Sequence, residues 1–250
     1  MKKRYFIFHV IVFLSLFFSC QKPESVPENC DYSQQIYDSL HRDALYLYVH
    51  DIYSDSLHPN RNQPEIDQAP VKRILGQFQA ILDLQIPETD TVFNILPIKA
   101  VVTNTRIIAL KVNPNAPEIQ ALIEGQPTGN TTLDEVINQY HFDQVETLYS
   151  YPDFNWLTIT SRQDWNLIPI KESLEGLPFI ENIDALCRFG LNPTRIVKTA
   201  YPAYTEYDFV YGWGDCPAGC INERHWVFQV NNTTCEASFS SSYGDIIPIR

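Results

Sequence analysis

The chain has 250 residues, with 18 Lys and Arg against 30 Asp and Glu and a formal charge of −12 at neutral pH. That field repels nucleic acid and anionic lipid headgroups, and no Lys/Arg cluster offsets it, so nucleic-acid binding is excluded. Its 14 Phe, 14 Tyr and 4 Trp are too many for a disordered chain.

Lys2, Lys3 and Arg4 lead an apolar run from Tyr5 to Phe18, which ends Leu16-Phe-Phe-Ser-Cys20 before the polar, proline-bearing QKPESVPEN. The run is shorter than the roughly twenty residues of a spanning helix and has the length of a secretory signal's apolar stretch. The segment resembles a bacterial lipoprotein signal, with Ser19 at the small position and Phe17 where Leu, Val or Ile is usual. The resemblance implies export, cleavage before Cys20, acylation of Cys20 (palmitate among the chains) and attachment to a membrane of the cell envelope. Without residues 1–20, fifteen bases face 30 acids, a balance of −15 on 230 residues, enough for one large or two small domains. Residues 21–30 read as a tether.

Residues 31–98 read as a helical segment. Ile36, Leu40, Ala44, Leu47 and Tyr48 recur at helical spacing over 33–52. After a polar stretch, Pro70 opens a second helix with Val71, Ile74, Leu75, Phe78, Ile81 and Leu82 on one face.

The pattern over 99–190 alternates. It predicts a strand at 101–112, a short helix at 117–125, and a helix at 133–140 capped by Thr131 or Thr132. Strands at 145–151 and 155–161 follow, joined by a tight Pro-Asp-Phe turn, then a helix at 166–178 and a strand at 179–186. The order β-α-β-β-α-β suits an α+β ferredoxin-like split sandwich, a topology that specifies no activity.

Residues 191–250 read as a three-stranded antiparallel meander. Tyr207, Phe209, Tyr211 and Trp213 alternate along one strand and share a face, and Trp226 and Phe228 do the same on the next. NNTT (231–234) turns into CEASFSSSYGD. The connection between the first two strands is WGDCPAGCINERHW. The longer stretch YGWGDCPAGCINERHWVF resembles a segment of uncharacterised secreted bacterial proteins, which implies a recurring structural device and no activity.

With Cys20 acylated, Cys30, Cys187, Cys216, Cys220 and Cys235 remain. An oxidising compartment makes disulfide bonding their default fate, with one left over; Cys30 is one candidate for it, and its fate stays open. Pro217 and Gly219 turn the chain back between Cys216 and Cys220, which are expected to bond to each other, and Cys187 is expected to bond Cys235. A zinc set of Cys216, Cys220, His225 and Cys235 lacks a second close pair, and a redox centre needs closer spacing at a helix start, so no metal and no cofactor is expected.

No serine elbow, His-Glu-x-x-His or phosphate-binding glycine loop occurs, and none of His41, His50, His58, His141 and His225 has a nucleophile motif beside it. No catalytic residue is assigned and the chain reads as a non-enzyme. The aromatic strand face is either core or a stacking platform, and Tyr211, Trp213 and Trp226 are its candidate ligand-binding residues. The expected function is a lipid-anchored envelope module that binds a glycan, a peptide or an envelope protein. A protease-inhibitor or prodomain-like module and a hydrolase with an unrecognised site are the alternatives.

Overall fold

A computed structural model describes residues 30–185, 193–215 and 220–248. The expected lipoprotein signal, the expected tether up to residue 29, Cys187 and Cys216 lie outside the described residues. The described chain is an α+β protein with six α-helices and two antiparallel four-stranded sheets.

Helix α1 (Gln34–Ser54) starts where Ser33 Oγ accepts from the Ile36 amide at 3.3 Å. Helix α2 (Gln68–Leu82) starts two residues before Pro70, because Asp67 caps it by accepting from the Ala69 amide at 2.9 Å. Pro70 then sits in the first turn, where its missing N–H has no helical partner to lose. A short helix α3 (Pro87–Asp90) runs into a π-helical turn, Thr91–Ile95, neither of which the apolar pattern had signalled.

The first sheet is formed by β1 (Ile107–Val112), β2 (Gln144–Ser150), β3 (Asn155–Thr160) and β4 (Ile180–Asp184) in the order β2-β3-β1-β4. Helices α4 (Pro117–Ile123), α5 (Thr131–Gln139) and α6 (Leu167–Leu174) connect them. The expected strand at 101–112 is real only from Ile107. Asn104 breaks it: its Oδ1 accepts from the amides of Arg106 and Ile107, and its Nδ2 donates to the Ala185 carbonyl at 2.8 Å. Asn130, not Thr131 or Thr132, caps α5, accepting from the Leu133 amide at 3.0 Å. Helix α6 stops short of 178, and Gly176 turns the chain out at φ +87°.

The second sheet is a meander of four strands, not three: β5 (Arg195–Ala200), β6 (Tyr204–Trp213), β7 (Asn222–Asn231) and β8 (Ala237–Gly244). Helices α1 and α2 cover one face of it. Phe78 of α2 lies 5.2 Å from the Tyr207 ring, and one buried cluster runs from Ile36, Ala44 and Phe78 to Tyr207, Phe209 and Phe228. The helical segment and the C-terminal sheet therefore enclose one core, although roughly a hundred residues of chain separate them. Those intervening residues build a second core around Leu110, Phe142 and Leu157. Helix α6 joins the two, since Ile168 packs in the first core and Leu167, Ile170 and Leu174 pack in the second. Arg42 of α1 and Arg106 also meet across this seam on Asp164, at 2.9 and 2.7 Å.

Cys235 is bonded to Cys30, with α-carbons 5.6 Å apart. This overturns the expected Cys187–Cys235 bond, and it gives Cys30, whose fate the sequence left open, a bonded partner. Folding brings the first described residue over α2 and against the β7–β8 turn, a juxtaposition that sequence separation hides. Cys220 is disulfide-bonded too. Among the described residues no helix is long and apolar enough to cross a membrane.

Candidate ligand-binding face

The aromatic strand of the second sheet is mostly core. Tyr207, Phe209 and Phe228 are fully buried and Trp226 nearly so, which removes Trp226 as a ligand-stacking residue. Arg224 lies over its ring at 6.0 Å. Tyr211 packs against the same core, and Trp213 stacks on Tyr211 at 5.8 Å, half-buried at the end of the strand. The three candidate residues are thus neighbours on one sheet face, and that face is covered by the helical layer.

The opposite face of this sheet carries an ionic row that sequence spacing did not reveal. His225 Nδ1 is 2.8 Å from Asp208 and Nε2 is 3.5 Å from Glu223, while Tyr243 stacks on the ring at 4.5 Å. Arg195 binds Glu223 at 2.9 Å, and its hydrogen bond holds the Glu223 carboxyl below the usual range. Partial burial pushes the Tyr243 hydroxyl up, with the charge of Asp208 adding to it. Both imidazole nitrogens face carboxylates, so the ring has no free nitrogen for a substrate proton. The zinc set is not assembled either: Cys235 and Cys220 are in disulfides, and among the described residues no group of three His, Cys, Asp or Glu is placed to hold a metal.

A group of exposed aromatics lies elsewhere, on the β2–β3 hairpin. Its sequence YSYPDFNW (149–156) folds tightly because Pro152 presets the turn and the Tyr151 amide donates to the Phe154 carbonyl at 2.9 Å. Ser150 Oγ then donates to Asn155 Oδ1 at 2.9 Å, which fixes the strands just below the turn. Tyr151 and Phe154 pack at 4.7 Å, and the Lys111 ammonium sits 4.2 Å from the Phe154 ring and 2.7 Å from Glu181.

Register extends this patch into a face. Along β1 and β3, Ile108, Leu110, Val112, Leu157 and Ile159 point into the second core, so their neighbours point the other way. Pairing aligns Tyr149, Trp156, Lys111 and Asn182 in one row across the four strands. The next row is Glu146, Thr158, Ala109 and Asp184. An aromatic wall therefore borders a floor of small side chains, with a carboxylate on each outer strand.

β2 ends the sheet, and its outer edge has no strand beside it among the described residues. A β-bulge between Thr147 and Tyr149 throws Leu148 outward. Leu148, Tyr149 and Tyr151 are 45%, 62% and 50% exposed, the densest group of exposed large hydrophobics in the described chain. The signal was present in the sequence, since a strand half of whose residues are apolar and that ends in YSYPDF has little to bury; the longer aromatic alternation at 207–213 drew attention away from it. No family model, curated protein or solved structure matches this chain.

Proposed function

We propose that the protein is a non-catalytic interaction module of the bacterial cell envelope, anchored through lipid on Cys20, which takes an extended segment of a partner protein along the free edge of β2. The exposed apolar edge formed by Leu148, Tyr149 and Tyr151 carries the reading. Natural sheets shield long edges with lysines, prolines or a covering loop, and this edge has only one bulge and one glutamate. An added strand would satisfy its main-chain groups, and alternate side chains would lie on the Tyr149–Trp156 row. Tyrosine, serine and asparagine around a rigid hairpin also give contact area at low entropy cost.

The unit 107–184 is read as a ferredoxin-like sandwich, supported by the order β2-β3-β1-β4 and by antiparallel pairing throughout. Export is supported by the bonded cysteines 30, 220 and 235, since such bonds persist in oxidising compartments. The nine residues between Cys20 and Cys30 let the two lie at most about 35 Å apart, so the domain works close to the membrane. The hydrolase alternative is not adopted, because His225 is held between Asp208 and Glu223.

A random peptide library selected on the purified chain tests the reading. Selected peptides should lose binding when alternate backbone amides are methylated and when Tyr149→Glu is introduced. Selection that survives both changes, or Trp156-dependent binding on a glycan array with no peptide selected, overturns it.

A further inference from the structure

We infer that the segment received by β2 is basic, presenting lysine or arginine side chains to the open face of the first sheet; this rests on the reading above. Between Lys111 and Arg162 the sequence has no lysine or arginine and seven aspartates and glutamates. All of β2, the turn and β3 fall inside that interval. Arg162 is itself occupied by Asp143 at 2.9 Å and Lys111 by Glu181 at 2.7 Å, so neither base is free to meet an anion. Glu146, on the open face of the edge strand itself, forms no ion pair among the described residues, and Asp153 stands exposed at the turn. A ligand strand beside β2 would lie about 5 Å from it, within reach of the Glu146 carboxylate and the rings of Tyr149 and Trp156.

The face already holds one cation in the way proposed for the ligand. Lys111 rests its ammonium over the Phe154 ring and against the Glu181 carboxylate, so one aromatic and one acid together satisfy it. Tyr149 with Glu146 offers the same pair of chemistries two residues from the free edge's bulge, with Trp156 beside them. An acidic strand would meet Glu146 and Asp153 at close range with no countercharge, so the same arrangement selects against it.

Three synthetic eight-residue peptides test this on the purified full-length chain: alternating Val-Arg, Val-Gln and Val-Glu. Affinity is read by fluorescence anisotropy at low and high salt, and the place of binding by hydrogen exchange at residues 144–150. The Val-Arg peptide should bind at least tenfold more tightly than Val-Gln at low salt and slow exchange at 144–150, and Val-Glu should not bind. Glu146→Gln should weaken Val-Arg about two- to fivefold and leave Val-Gln unchanged, while Glu88→Gln on the distant helical layer changes neither. Equal binding of Val-Arg and Val-Gln, both slowing exchange at 144–150, overturns the basic partner and leaves the edge reading standing. Val-Arg binding without slower exchange at 144–150, or no peptide binding at all, overturns both.

Discussion

Cys30 and Cys235 are 205 residues apart in sequence and bonded in the fold, with the Cys30 backbone lying directly over Gly76 of α2. The bond ties the point where the tether enters the domain to the turn between β7 and β8. With the lipid anchor proposed at Cys20, a pull on it would be delivered to the C-terminal sheet as well as to α1. A loop this long gains roughly 5 kcal/mol in the chain-entropy model, the upper end of what a disulfide contributes. Replacing both cysteines by serine should lower unfolding free energy by about 2–5 kcal/mol in urea titrations, and a reductant should reproduce most of that loss. Unchanged stability in both would mean the bond is idle.

Gly76→Ala separates a sequence argument from a structural one. Helix propensity alone favours alanine by about 1 kcal/mol. An added Cβ would meet the Cys30 carbonyl oxygen at 2.2 Å, a backbone atom held by the disulfide, and overpacking costs about 1–3 kcal/mol. The variant should therefore be destabilised in thermal unfolding. In the background lacking the Cys30–Cys235 bond the penalty should shrink, because residue 30 can then move away.

Asp164 should carry an acid-sensitive part of the stability. Partial burial opposes its charge, but hydrogen bonds from Arg106 and Thr105 and the charge of Arg42 outweigh burial and hold its carboxyl below the usual range. A carboxyl depressed on folding stabilises above its unfolded value, near pH 4, and loses that contribution as pH falls through the lower folded value. Asp43, pushed up by burial beside Lys99, acts in the opposite sense, so the test is a difference. Asp164→Asn should cost about 1–3 kcal/mol at pH 7, and the gap to the parent protein should narrow on acidification in pH-dependent denaturation.

Two tyrosines should respond in opposite ways. Tyr207 is fully buried and its hydroxyl donates to Gln77 at 2.5 Å, so Tyr207→Phe strands that amide oxygen and should cost about 1–3 kcal/mol without touching the β2 edge. Tyr149→Ala should stay within about 0.5 kcal/mol of the parent in stability and lose peptide binding. Equal losses of stability would put Tyr149 in a core role.

Cys20→Ser should shift the protein from the membrane to the soluble exported fraction or leave the precursor uncleaved, as fractionation and intact mass would record. Normal processing with full membrane retention would remove the lipid anchor from the proposal.

Local chemistry was legible where local chemistry decides. Ile36, Leu40 and Ala44 repeat at helical spacing, and 145–151 and 155–161 flank a Pro-Asp turn, so α1 and the β2–β3 hairpin followed from periodicity and turn type alone. Aromatic alternation at 207–213 likewise placed a strand. It left open which way that strand's rings would face the rest of the protein, and α2 settled this by packing Phe78 on Tyr207 and Phe209.

What the amino-acid order determined by itself was the charge, the signal-like start, the strand and helix periods and the polar-to-aromatic contrast along the hairpin. Those depend on residues within a turn or two of one another. Only the tertiary structure decided that Cys235 bonds Cys30, that 31–98 and 195–244 share a core, and that Glu146 stands on the same face as Trp156. Each of these joins residues brought together by strand register or helix packing, and the free energy that selects them is area buried between distant segments, which no single stretch of the chain contains.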